Sequence, residues 1–159
     1  MVKKDTTPQT KGINNALHKV DFTDTFSTTN HKNNLEEIAR LIFETTPTWV
    51  SYLFRIRNFI VSFIGLKTGI PKDYNTNFKL GGYIGFFSIY TILENEIILG
   101  ANDKHLNFRV SIFNSEESKY NIKVATLVEY KNLFGKVYMT IITPFHRIIV
   151  KRMVQQAYA

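Results

Sequence analysis

“ANDKHLNFRVSIF” (residues 101–113) is the stretch that decides how the chain is read. After the turn residues, Leu106, Phe108, Val110 and Ile112 alternate with His105, Asn107, Arg109 and Ser111, and a period of two means a strand with one apolar and one polar face. Two arrangements satisfy the pattern. In the first, the apolar set packs on a helix and the polar set meets water, as antiparallel sheets commonly arrange themselves. In the second, the polar set lines a cavity, where Arg109 holds a carboxylate or phosphate and His105 exchanges a hydrogen bond.

The surrounding residues extend the sheet in both directions. “YIGFFSIYTIL”, “NEIILG”, “HLNFRVSIF”, “NIKVATLVEY” and “GKVYMTII” are β-rich runs, separated by “GAND”, “NSEESK” and “KNLFG”. Links this short predict an antiparallel meander. Upstream, “ALHKVDFTDTFST” places Val20, Phe22 and Phe26 on one side of a first strand. “NNLEEIARLIFET” then predicts a helix: Asn caps, Glu36 and Glu37 in the first turn, and Leu35, Ile38, Leu41 and Ile42 at helical spacing. A second helix is predicted from Thr46 and Pro47, with Trp49, Leu53, Ile56, Ile60 and Phe63 as its apolar stripe.

The last segment, “TPFHRIIVKRMVQQAYA”, predicts a terminal helix with Thr143 as cap and Pro144 at its first position. Residues 1–15 carry little to bury and read as a flexible basic tail ahead of a single domain, residues 16–159. The glycines of “LGGYIG” run into a strand and not a helix, which fits a bulge or close backbone approach better than a phosphate loop.

Composition bounds the chemistry. At 159 residues with 44% hydrophobic side chains, the chain has enough to bury for one globular core. It has no cysteine, which excludes disulfides, thiolate metal sites and cysteine nucleophiles. No signal-peptide pattern opens the chain, so the expected location is cytoplasmic. The most membrane-like window, “PTWVSYLFRIRNFIVSFIGL”, is interrupted by Arg55 and Arg57, each costing about 2.5 to 3.5 kcal/mol at mid-bilayer. The net charge is +7, and after Glu129 five cations (Lys131, Lys136, Arg147, Lys151 and Arg152) meet no acid. Such a one-signed segment suits phosphate or an anionic membrane, or is a solvated helix face.

A strand, two helices, an antiparallel sheet and a C-terminal helix form the element order of an α+β helix-grip fold (START/SRPBCC-like). In that fold a curved antiparallel sheet wraps around a long C-terminal helix. “LGANDKHLNFRVSIF” and “LVEYKNLFGKVYMTIITPFHRIIVKRM” carry a more specific likeness. They resemble an uncharacterised bacterial family, the domain of unknown function 2867, of the START-like SRPBCC superfamily. The family pattern has “HLDFRVSV” and a helix opening with “PFHR”; this chain has Asn107 in place of the first motif's Asp. The resemblance implies the fold and a ligand cavity, and no particular activity.

The expected function is therefore binding of a small hydrophobic or amphipathic ligand between sheet and terminal helix. Arg109, His105, His146, Asp103, Tyr138 and Phe108 are the candidate ligand-binding residues. “PFHR” would place His146 and Arg147 beside the free N–H groups of a helix start, a combination that suits an anion, or leave them capping locally. No catalytic residue, cofactor, metal or specific nucleic-acid partner is expected, and the chain reads as a monomer or homodimer. Two alternatives stand beside this reading: an enzyme using His105 or His146 as acid or base on a small hydrophobic substrate, and a basic membrane-surface or protein-interaction module. An apolar cavity would mark a binder. Polar groups converging on a closed pocket would mark an enzyme, and a filled core with an exposed apolar patch would mark the interaction module.

Overall fold

A computed structural model of the chain describes residues 1–45 and 71–159, together with Thr48, Ser51, Arg55 and Asn58. In chain order the elements are β1 (Lys3–Asp5), α1 (Lys11–Asn14), β2 (Phe22–Thr28), α2 (Leu35–Glu44), β3 (Tyr83–Ile84), β4 (Phe87–Ile92), β5 (Glu96–Asn102), β6 (Leu106–Asn114), β7 (Ile122–Tyr130) and α3 (Leu133–Gln155). The strands form a sheet in the order β1-β2-β7-β6-β5-β4-β3, with every neighbouring pair antiparallel. β3 to β7 are the expected meander, and β2 closes back onto β7.

The alternation in β6 places its apolar side chains as expected. Val110 and Ile112 pack with Ile97 and Leu99 of β5, Val124 of β7 and Phe26 of β2, beneath Ile38, Ala39 and Ile42 of α2 and Met153 and Val154 of α3. Helix α2 is set by its ends: the Asn34 side chain accepts from the Glu37 N–H, and Glu37 reaches back to the Asn34 N–H. The first turns of α3 cover the other end of this face, where Met139 meets Leu106 and Val128, with Phe22, Tyr138 and Ile142 around them.

The opposite face is polar, and the N-terminal residues cover the part of it around Thr23, Thr25, Glu96, Ala125 and Leu127. Residues 1–15, expected as a flexible tail, instead supply β1 and α1. Ile13 packs on Ala125 and Leu127. The Thr7 hydroxyl lies 2.8 Å from those of Thr23 and Thr25, and the Ser27 hydroxyl donates to Asp5 at 2.5 Å. Glu96, 1% exposed, accepts from the Thr10 hydroxyl at 2.7 Å, the Gly12 N–H at 3.1 Å and the Ser111 hydroxyl at 2.5 Å. A Cβ on Gly12 would stand 2.3 Å from the Glu96 carboxylate, so a larger residue is shut out. The segment binds through these polar side chains, and hydropathy alone gives no sign of them.

Two further expectations change. “YIGFFSIYTIL” is a hairpin and not one strand: Gly85, at φ +59, turns the chain between β3 and β4, a backbone shape that glycine takes without strain. “GKVYMTII” is helical, and the terminal helix begins at Leu133 and not at Thr143. Asn132 caps it by accepting from the Gly135 N–H at 3.1 Å, and Pro144 sits inside it. Over one run of apolar and β-branched residues, strand and helix are hard to tell apart by pattern. Burial resolves it, since Met139 is 4% exposed while Val137 and Ile141 are 48% and 64% exposed, as helical spacing requires. Val20 lies before β2 and is exposed. The predicted helix from Thr46, with its Trp49 stripe, falls largely outside the described residues.

Candidate functional site

The six sequence-derived residues separate into three places. Asp103 and His105 lie in the turn between β5 and β6, beside the start of α3. Asp103 Oδ1 accepts from the Lys104 N–H at 2.6 Å, and its carbonyl accepts from Lys131 Nζ at 2.6 Å. The Asn132 amide donates to His105 Nδ1 at 2.9 Å, and the His105 ring lies 5.4 Å from that of Phe134. A cap residue that also holds His105 ties the turn to the helix, so these contacts are those of a structural joint.

Phe108, Tyr138 and His146 lie between the sheet and α3. Phe108 is partly buried, its ring 5.2 Å from Phe87. Tyr138 packs over Leu106 and Val128. His146 stands edge-on to Phe22 at 5.9 Å, and its Nε2 is buried without a hydrogen-bond partner among the described residues. Burial lowers its pKa to about 4, with Asp24 pulling the other way and Arg147 adding to the fall, so at neutral pH the ring is uncharged. Because α3 starts at Leu133, His146 and Arg147 are mid-helix and not beside free first-turn N–H groups. The anion site read from “PFHR” is thereby removed; Arg147 instead donates to the buried Asp24 at 3.0 Å.

Arg109 is alone on the other face. Its register partners are Gly100 on β5 and Leu127 on β7. It is 6% exposed, and its guanidinium carbon lies 3.8 Å from the centre of the Tyr90 ring. Arg109 and His146 thus occupy opposite faces and form no common site.

Between sheet and α3, apolar side chains of both pack together, among them Leu106, Val128 and Met139 at one end and Val110, Met153 and Val154 at the other. Two clefts open elsewhere. One of about 360 Å³ is lined by Asn33, Asn34, Glu94, Asn95, Asn114 and Glu116 with Leu35 and Ile38. The other, about 320 Å³, runs along α2. None of the six residues lines either cleft. Among the described residues no group of three or more His, Asp or Glu is placed to hold a metal ion, and no helix is long and apolar enough to cross a membrane.

Sequence reasoning missed the outer surface of α3. Leu133, Phe134, Val137, Ile141, Phe145 and Ile148 are 48% to 71% exposed and form one stripe, while Met139, Met153 and Val154 face the sheet. Lys136, Lys151 and Arg152 are exposed on the same helix, which carries no acid. The signal was present in the apolar periodicity of residues 133–148, but reading half of that span as a strand concealed it.

The family described as “Protein of unknown function (DUF2867)” matches residues 16–153. No curated protein and no solved structure matches the chain.

Proposed function

The chain belongs to this family of proteins of unknown function, and from that premise we propose that it is an interaction module that docks on an anionic membrane surface through the outer face of α3. The observation that carries the reading is the exposed stripe of Leu133, Phe134, Val137, Ile141, Phe145 and Ile148. An exposed apolar stripe of this length on a helix normally has a partner. The apolar packing of Leu106, Val128 and Met139 between sheet and helix supports this reading over a binder with its cavity there. The element order still favours a helix-grip scaffold, with α3 in the place of its C-terminal helix.

Charge selects the occupant. Lys131, Lys136, Lys151 and Arg152 are exposed and unopposed by any acid after Glu129, and each cation near an anionic bilayer contributes about 1 kcal/mol. Two copies meeting through α3 would set these cations against one another, which disfavours a homodimer through this face. The stripe supplies an apolar contribution that salt does not screen.

Co-sedimentation with phosphatidylcholine vesicles, with and without phosphatidylglycerol, tests the proposal. Binding is expected only with the anionic lipid and should persist in part at physiological salt. The double variant Val137→Glu/Ile141→Glu, altered at two exposed positions, should lose about two orders of magnitude in affinity and keep its unfolding midpoint. Binding that vanishes at physiological salt, or that the double variant retains, overturns the reading.

A further inference from the structure

Arg109 reaches across the sheet in a way that only one neighbour permits. It starts on β6, passes over Gly100 on β5 and ends against Tyr90 on β4. A Cβ on Gly100 would stand 2.2 Å from the Phe108 carbonyl oxygen, 2.8 Å from Arg109 Cδ and 3.1 Å from its Nη1, so glycine serves both the close strand pairing and the space in which the side chain lies flat. Nη1 donates to the Phe108 carbonyl at 2.8 Å and the Ala101 carbonyl at 3.3 Å. Nε and Nη2, the edge that pairs with two oxygens at once, have no hydrogen-bond partner among the described residues, yet neither is sealed from solvent. No carboxylate among the described residues comes within ion-pair distance of Arg109.

A guanidinium buried to this degree is expensive without an opposing charge. Burial pushes its pKa down, while Tyr90 and Glu129 act to raise it. Glu129 is held elsewhere, by the Lys19 N–H at 3.1 Å and the Asn107 amide at 3.0 Å. Its nearby charge disfavours a polyanion and leaves room for a single negative charge. Asn107, two residues along β6, is engaged with Glu129 and stands apart from the free edge of the guanidinium.

We propose that Arg109, stacked on Tyr90 and seated over Gly100, binds the carboxylate of a small monoanion through its Nε/Nη2 edge. The site lies on the face of the sheet opposite α3, so a membrane contact through α3 leaves it open to water.

Titration of the isotopically labelled protein with lactate, acetate and inorganic phosphate, followed by NMR at the Arg109 Nε–H, tests this. Lactate and acetate should each give a saturable shift, and phosphate should be weakest. Tyr90→Leu, which removes the stacking surface of the guanidinium, should weaken lactate roughly tenfold or more. Tyr90 is 38% exposed, so this variant keeps the fold and separates loss of binding from loss of structure. Absence of a saturable shift with any of the three, equal response to all three, or unchanged lactate affinity in Tyr90→Leu overturns the proposal.

Discussion

His146 shows how a single side chain can link stability to pH. Its Nε2 is buried and unpartnered among the described residues, and its folded pKa is about 4 against an ordinary 6.5. Between these values the unfolded chain binds a proton that the folded protein refuses. This contribution is therefore complete above pH 6.5 and is lost as pH falls towards 4. The full difference amounts to roughly 3 kcal/mol. His146→Phe should keep the packing against Phe22 and flatten this part of the profile. Urea unfolding of both proteins at pH 7, 5 and 4 measures it, and a variant that loses stability with acid as steeply as the parent contradicts the assignment. In the strand read first, Val110 is 3% exposed within the main core. Val110→Ala should cost on the order of 1 to 3 kcal/mol in the same assay. The apolar role of Val110 was legible from alternation. The isolation of His146 was not, since it depends on where α3 begins.

Among the elements, the N-terminal segment departs furthest from its sequence reading. A tail would be removable without effect. Here Thr10 and Gly12 satisfy the buried Glu96, and Ile13 covers Ala125 and Leu127. Deleting residues 1–15 leaves a buried carboxylate short of donors and should destabilise the protein by about 2 to 5 kcal/mol. An unchanged urea midpoint would restore the tail. The elements that were legible carry local signals: the Asn34–Glu37 cap of α2, and the alternation of β6 and β7. β1 and α1 have three and four residues, too few for periodicity to register. They form because the polar face of the sheet offers them partners.

Among the described residues, the sheet is packed by α2 and α3 on one face and by the N-terminal segment over part of the other, while α3 exposes an apolar surface and the charge after Glu129 is of one sign. Covering by residues far apart in sequence makes unfolding cooperative. The Gly12 amide, bonded to Glu96, should therefore exchange with solvent hydrogen on the timescale of the central strands. Fast exchange at Gly12 alone would show that the segment opens independently. By itself the sequence determined the antiparallel meander, helix α2, the apolar face of β6 and membership of the family, because strand period, helix caps and family motifs are encoded in neighbouring residues. Tertiary structure decided what lies over the polar face, where α3 starts, and why Arg109 and His146 never meet. Each of these depends on partners distant along the chain: Glu96 waits for Thr10 and Gly12, His105 for Asn132, and Arg109 for the space above Gly100 and the ring of Tyr90. A period read along one strand says which side chains share a face, but what covers that face is chosen by the fold.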